Sequence, residues 1–166
     1  ADGRGYVDPA DEPWERLDSV RRAWNRASAD HVDVKLRKVA HLLDLDAPAF
    51  DPETLTLVVP RELGAALVRL VEEKRRLDDA LAEHKDAGPI DPLLEQLAQM
   101  EHERWMAERR SEGWALSPDG AKKDAARKLS PYLVPYSELS HQVQHYDRVA
   151  AVEALREYAN GSDAAP

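Results

Sequence analysis

The sequence predicts a mainly α fold of about five helices, with long extended proline-containing segments and little or no strand. Apolar residues recur at spacings of three and four over most of the chain, which is the pattern of one helix face. Capping residues, glycines and prolines stand at the ends of these stretches. A single run, "TLTLVV" at residues 54–59, is rich in the β-branched residues that favour strands.

The N-terminal segment, residues 1–90, is predicted to be helical after an irregular lead-in of residues 1–12. The helical pattern covers about residues 14–43, as one bent helix or as two consecutive helices. Its apolar positions are Leu17, Val20, Trp24, Ala27, His31 and Val34, continued by Leu36, Val39 and Leu43.

A second helix of this segment is predicted at about residues 61–86. The acids and prolines of "DLDAPAFDPE", residues 44–53, interrupt the preceding helical pattern. "TLTLVV" follows as a short strand or a buried extended segment, since no second strand is obvious. The new helix presents a stripe made of Leu63, Leu67, Leu70, Leu77 and Leu81. "DAGP", residues 86–89, is expected to end it.

Residues 91–160 are predicted to form a second unit. Asp91 can cap a helix with Pro92 at its first position, and this helix should reach about Glu112 and stop at Gly113. "SPDGAKKD", residues 117–124, is expected to be a loop, and "LSPYLVPY", residues 129–136, to be extended. Ser137 can cap a last helix that runs to about Tyr158. Residues 161–166 are expected to be a disordered tail.

Composition limits the function classes. The 166 residues carry 32 acidic and 23 basic side chains, for a formal net charge of −9, which argues against general nucleic-acid binding. There is no cysteine, so disulfides, thiolate metal sites and cysteine nucleophiles are excluded. No apolar run approaches the roughly 20 residues that span a bilayer, and no signal peptide opens the chain. We therefore expect a cytoplasmic protein without membrane insertion.

The stretch "MEHERWMAERRSEGW", residues 100–114, combines two tryptophans with several arginines. Trp105 and Trp114 are each consistent with core positions, since most tryptophans are largely buried. Charged residues at helical spacing nevertheless surround Trp105, which is unlike a plain core stripe. These are Glu101, Arg104, Glu108 and Arg109. Two aromatic planes with an arginine between them are able to stack a flat ring and to hold its phosphate.

The histidines do not form a recognisable metal or catalytic pattern. His102 lacks the second histidine, four residues away, of a metalloprotease helix. We expect it to hydrogen-bond a backbone carbonyl and to fix its helix against "LVPY", residues 133–136. His141 and His145 can share a helix face, but two ligands make an incomplete site. Because G-x-S-x-G and glycine-rich phosphate loops are also missing, the sequence predicts no metal, no required cofactor and no enzymatic activity.

Three stretches together, "EHERWMAERRSEGW", "RKLSPYLVPYSEL" and "YDR", resemble the RyR domain, a small repeat of ryanodine receptor calcium channels and of many bacterial proteins. The resemblance covers about residues 93–158. The family outline places a histidine three residues before a tryptophan, followed by a basic residue, Gly-Trp and a K-x-x-P-x-L-V-P-aromatic segment. The matching positions are His102, Trp105, Arg109, Gly113, Trp114, Lys128, Pro131, Leu133, Val134, Pro135, Tyr136 and Leu139.

The N-terminal stretch "PWERLDSVRRAWNRASADHVDVKL" adds to this resemblance. It is similar to the segment that precedes the RyR domain in bacterial proteins that also carry a TrkA-type (TrkA-N), NAD-binding Rossmann domain. This likeness implies that the chain is the C-terminal part of such a protein. An attached Rossmann-type domain would then be a partner in the full-length protein.

The resemblance implies a non-catalytic regulatory module, since RyR repeats are similar to sites where adenine nucleotides bind. We therefore expect a ligand-sensing function, with an adenine nucleotide or a cyclic nucleotide-type second messenger as the ligand. The expected ligand-binding residues are Trp105 and Trp114 for the ring, Arg109, Lys128 and Arg148 for phosphates, and Tyr136 to close the pocket. The expected supporting residues are His102, Gly113, Pro131 and Pro135.

Two other classes of function remain open at this point. The chain could be a protein-protein interaction or homo-oligomerisation module without a small ligand, using the helix at 61–86 and the helix that carries Trp14 and Trp24. A hydrolase or deaminase is the third class, and it lacks a motif in the sequence. Local basic residues at 122–128 fit either a solvated loop or an anion clamp.

Overall fold

The computed structural model describes residues 30–118 and 121–159, and it confirms the mainly α class. Within these residues the order of elements is α1 Val32–Leu42, β1 Ala49–Asp51, β2 Thr56–Val58, α2 Arg61–Ala82, α3 Pro92–Ser111, β3 Ala115–Leu116, β4 Leu129–Ser130 and α4 His141–Glu153. Short 3₁₀ turns lie at Tyr136–Glu138 and Arg156–Tyr158. The described part therefore has four α-helices. Residues 14–29 of the first predicted helix and the predicted tail lie outside it.

Helix α3 begins and ends as the sequence predicts. The side chain of Asp91 accepts a hydrogen bond from the backbone N–H of Leu93, and Pro92 occupies the first turn. At the other end Gly113 has a φ of +85°, the left-handed conformation that glycine adopts without strain. The N–H of Trp114 then bonds the carbonyl of Arg109 at 3.0 Å, which closes the last turn.

Three helix boundaries differ from prediction. Helix α2 ends at Ala82, not near residue 86, because His84 adopts a φ of +54° and the N–H of Lys85 bonds the carbonyl of Ala80 at 2.8 Å. Helix α4 is capped by Ser140, whose hydroxyl accepts from the N–H of Val143; the prediction of Ser137 was wrong, since Ser137 lies inside a 3₁₀ turn. The regular helix then stops at residue 153.

The "TLTLVV" run does form a strand, and its partner lies inside the segment predicted to be irregular. Strands β1 and β2 pair antiparallel, with Phe50 opposite Leu57. The Asp51 side chain accepts from the N–H of Glu53 and from the hydroxyl of Thr54, and Leu55 turns back with a φ of +55°. This turn chemistry defines the hairpin. Strands β3 and β4 form a second, parallel pair that joins the segment after α3 to the segment before Pro131.

One hydrophobic core joins the N-terminal helices to the C-terminal ones. Its buried members include Leu36, Val39, Leu63, Leu67, Leu70, Leu77, Leu94, Leu97, Ala151, Val152 and Leu155. Helices α3 and α4 pack side by side, and α1 and α2 both contact α3. Two residues of the predicted apolar faces are exposed instead: Val34 on α1 and Leu81 in the last turn of α2. None of the helices in the described ranges is apolar over a length that could cross a bilayer.

Candidate functional site

A cavity of about 400 Å³ opens between α3 and α4. Its lining combines aromatic and charged side chains with two small apolar ones, and the residues are Glu101, His102, Arg104, Trp105, Glu108, Arg109, Tyr132, Val143, Tyr146, Asp147 and Ala150. Helix α3 contributes six of them because positions 101, 102, 104, 105, 108 and 109 recur at helical spacing on the side that faces α4. The volume lies within the usual range for small-molecule sites.

The aromatic part of the cavity is built around Trp105. Its ring stacks on the imidazole of His102, with centroids 5.6 Å apart and planes inclined by 24°. Tyr132 and Tyr146 are 42% and 61% exposed, so they stand at the mouth. These rings offer flat apolar surface that remains accessible from solvent.

Arg109 lies between the two tryptophans of the sequence stretch. Its guanidinium carbon is 5.6 Å from the ring centroid of Trp105 and 5.6 Å from that of Trp114. Its Nη1 also pairs with Glu112 at 3.0 Å. Contacts of this kind combine cation–π attraction with an ion pair, and they hold the position of the Arg109 side chain in the cavity lining. Trp114 does not itself line the cavity and contacts it through Arg109.

The charged wall of the cavity is a chain of ion pairs. Arg104 donates to the Glu101 carboxylate, with Nη2 to Oε1 at 2.7 Å, and to Glu108 through Nη1 at 2.9 Å. Glu101 is buried and also pairs with Lys35 of α1 at 2.7 Å. Burial alone would raise the pKa of Glu101, but Arg104 and Lys35 hold it below its usual value. Glu101 is therefore an anion held by two cations.

His102 makes the predicted contact. Its Nε2 donates to the carbonyl of Val134 at 2.8 Å, which confirms that it fixes α3 against the 133–136 segment. Its Nδ1 lies 3.1 Å from Asp147 Oδ2 on α4. Burial lowers the pKa of His102, but both ring nitrogens face acceptors, and the net result is a raised pKa. Burial raises the pKa of Asp147, although His102 opposes that shift.

Tyr136 and Arg148 belong to a different cluster. The guanidinium of Arg148 and the hydroxyl of Tyr136 both donate to the Glu95 carboxylate near the start of α3. Gln144 joins them, since it donates to the carbonyl of Tyr136 and accepts from Arg148. Arg148 is 3% exposed, and the partly buried Tyr136 has a raised pKa, mainly through desolvation and against the effect of Arg148. Neither residue lines the cavity, and both tie α4 and the 3₁₀ turn to α3.

Lys128 also lies away from the cavity. Its Nζ donates to the carbonyl of Glu112 at 2.7 Å, where α3 ends and its carbonyls are unpaired within the helix. Pro131 follows strand β4 and Pro135 precedes the 3₁₀ turn, so both occupy connecting segments.

The structure thus brings Trp105 and Arg109 into one cavity and gives Trp114 an indirect contact with it. Lys128, Tyr136 and Arg148 have other neighbours. The lining residues that we did not predict as ligand-binding include Tyr132, Tyr146 and Asp147. Helical spacing around Trp105 already indicated the wall on α3. Tyr132, Tyr146 and Asp147 lie within stretches that carry the family resemblance, but no ligand-binding role was assigned to them. In residues 30–118 and 121–159, no group of three or more histidines and carboxylates is arranged to hold a metal.

Comparison with known proteins finds a family match in the C-terminal part of the chain. Residues 88–160 match the family model of the RyR domain, which contains the whole cavity lining. This match indicates a ligand-binding or regulatory module in general terms. Neither a curated protein nor a solved structure gives a significant match to the chain.

Proposed function

Since residues 88–160 match the family model of the RyR domain, we propose that this chain is a non-enzymatic regulatory module whose cavity between α3 and α4 binds an adenine nucleotide or a nucleotide-derived second messenger. The observation that carries the proposal is the position of Trp105 and Arg109 in one cavity. The Trp105 ring lines the cavity, and the Arg109 guanidinium lies over that ring, with its carbon 5.6 Å from the centroid.

The aromatic lining supports a flat heterocyclic ligand. Trp105, Tyr132 and Tyr146 belong to three different segments and reach the same cavity. Stacking of a nucleobase on an aromatic side chain is worth about 1–3 kcal/mol in nucleic-acid systems. The volume of about 400 Å³ suits a nucleoside with a short anionic group.

The charges of the lining favour a ligand with few phosphates. Three carboxylates, those of Glu101, Glu108 and Asp147, face the cavity beside two guanidiniums, Arg104 and Arg109. A carboxylate can accept from the exocyclic amine of adenine, and a guanidinium can hold one phosphate. A triphosphate would bring more negative charge than two arginines compensate. We therefore expect AMP or a cyclic mononucleotide to bind more tightly than ATP.

Thermal melting against a nucleotide panel tests the proposal. The panel contains ATP, ADP, AMP, NAD, ADP-ribose and its cyclic form, and cyclic mono- and dinucleotides. A ligand at 100 times its dissociation constant should stabilise the protein by about 2.7 kcal/mol. Trp105→Ala should abolish the shift.

Neighbouring arginines give a matched pair of variants for the same experiment. Arg109→Gln should reduce the shift to about half or less. Arg110→Gln should retain the full shift, because Arg110 is exposed and does not line the cavity. No shift with any nucleotide would reject the proposed ligand class. A shift that stays at its full size in both Trp105→Ala and Arg109→Gln would reject the site.

One observation favours a second candidate function, a protein-interaction module. Phe50 and Leu55 of the β1–β2 hairpin are 59% and 75% exposed. The leucine stripe of α2, which we had considered as a contact surface, is largely used in the core. Light scattering over a range of concentrations should therefore show self-association that Phe50→Ser with Leu55→Ser abolishes. If the protein is a monomer at every concentration, homo-oligomerisation is rejected as its function.

A further inference from the structure

Lys35 links the N-terminal helix α1 to the wall of the cavity. Its side chain is completely buried, and its Nζ lies 2.7 Å from Oε2 of Glu101, which is 4% exposed. An ammonium group is costly to bury without a partner, so the docked position of α1 depends on this ion pair. Lys35 lies outside residues 88–160, whereas Glu101 lines the cavity within them.

The ion pair is the first link of an alternating series of charges. Lys35 pairs with Glu101, Glu101 with Arg104, and Arg104 with Glu108. The four charges sum to zero, and the last three line the cavity. Any ligand group that approaches Arg104 or Glu108 therefore changes the electrostatic surroundings of Glu101, and hence the attraction between Glu101 and Lys35.

We propose that Lys35 is a positioning residue for the cavity and that the Lys35–Glu101 ion pair makes ligand binding and the docking of α1 reinforce each other. The inference rests on the proposed function for its ligand. A bound anionic group draws the Arg104 guanidinium away from Glu101, and Glu101 then depends more strongly on Lys35. By thermodynamic reciprocity, undocking of α1 weakens binding by the same factor. The N-terminal segment would in this way receive the signal of the bound ligand.

Hydrogen exchange measured by mass spectrometry tests the coupling, with AMP as the probe. Saturating AMP should slow the exchange of α1 amides, residues 32–42, by about tenfold, a typical coupling factor. Helix α1 does not line the cavity, so direct protection by the ligand does not account for this effect. Lys35→Met should abolish the slowing and should weaken AMP binding by a similar factor. Lys38→Met, on the same helix, is the matched control. It should retain the slowing of α1 exchange and the wild-type affinity for AMP.

A second variant tests the inference if Lys35→Met alone fails to fold. Lys35→Met with Glu101→Gln removes both charges of the pair and keeps side-chain volume, a change that buried ion pairs often tolerate. It should fold, and AMP should no longer slow exchange in α1. Wild-type slowing in this double variant would overturn the inference.

The failure of the inference is distinguishable from the failure of the proposed function. If AMP does not bind the wild-type protein, the proposed ligand is wrong, and the positioning role is then judged without ligand. In that arm Lys35→Met should accelerate the exchange of peptides that contain residues 101–108 more than Lys38→Met does. Equal exchange in the two variants would overturn the role of Lys35, and so would AMP binding that leaves α1 exchange unchanged.

Discussion

The imidazole of His102 joins helix α3 to helix α4 through the carboxylate of Asp147, with Nδ1 and Oδ2 3.1 Å apart. The other ring nitrogen donates to the carbonyl of Val134. A neutral imidazole has a single N–H and satisfies one of these acceptors, whereas the protonated ring satisfies both. The raised pKa of His102 follows from these contacts in spite of burial. Protonation of this residue is therefore coupled to the packing of the two helices that enclose the cavity.

The first prediction concerns the pH dependence of stability. A histidine with a pKa raised by folding contributes stability that is complete below its unfolded pKa of about 6.5 and is lost as the pH rises through the folded pKa. The free energy of unfolding of the wild type, relative to His102→Gln, should therefore decrease as the pH rises from about 6.5 through the raised folded-state pKa of His102. Chemical denaturation at a series of pH values measures this difference.

Comparison with His102→Gln is needed because other groups titrate as well. Burial lowers the pKa of His31, which gives the opposite slope near neutral pH. Asp147 has a raised pKa, and its titration changes the free energy of unfolding at lower pH than that of His102. A constant difference between the wild type and His102→Gln would contradict the prediction.

A second prediction compares two serines three residues apart. Ser140 caps α4 through the N–H of Val143, whereas Ser137 lies in the 3₁₀ turn without such a cap. Ser140→Ala should lower the free energy of unfolding by about 1 kcal/mol, the usual cost of a lost N-cap. Ser137→Ala should change it by less than about 0.5 kcal/mol, as is usual at the surface. Urea denaturation of both variants measures these losses. A larger loss in Ser137→Ala than in Ser140→Ala would contradict Ser140 as the cap of α4.

These two serines also indicate what the sequence could predict. Asp91, Pro92 and Gly113 defined α3 because their effects are local: a cap, a fixed φ and a left-handed residue. Either Ser137 or Ser140 satisfies the same local rule. The choice between them depends on "PYSEL", residues 135–139, which forms a turn because Tyr136 is held by Glu95, a residue 41 positions away.

For the site, too, the local relationships between residues were predictable from the sequence, and the contacts between distant residues were not. Trp105 and Arg109 come together by spacing on one helix, so the sequence placed them correctly with respect to each other. Arg148 and Lys128 had the right charge for phosphate binding. Their partners, Glu95 and the carbonyl of Glu112, are distant in sequence and were not predicted. Long-range pairing thus decides which cations face the cavity.

A third prediction tests the left-handed residue at the end of α3. A Cβ at Gly113 would meet no atom within 4 Å, so a substitution there introduces backbone strain without a steric clash. Gly113→Ala should lower the free energy of unfolding by about 1–2 kcal/mol. Gly113→Asn should cost less, because asparagine tolerates this conformation better than alanine. Thermal or urea denaturation measures both, and equal costs would contradict strain as the cause.

The last prediction separates the two roles that arginines have around the cavity. Arg148 donates to Glu95 and Gln144 and is nearly fully buried, so Arg148→Met removes charge-assisted hydrogen bonds that hold α4. Such bonds contribute about 1.5–3 kcal/mol each, and the lower end applies here because the Glu95 side chain is 32% exposed. We expect the variant to lose about 2 kcal/mol of stability. Its affinity for AMP, measured by calorimetry well below its melting temperature, should stay close to the wild-type value.

Arg109→Gln is the counterpart, and it should weaken AMP binding in addition to any stability lost with the buried contacts of Arg109. The Arg109 guanidinium lies at the cavity beside Trp105, so its loss should weaken AMP binding by at least about tenfold, a factor that corresponds to 1.4 kcal/mol. Both variants need the same two measurements, unfolding by urea and binding by calorimetry. If Arg148→Met weakens binding as strongly as Arg109→Gln does, the phosphate-holding role first predicted for Arg148 is correct. The cavity that binds the ligand must then extend toward Glu95.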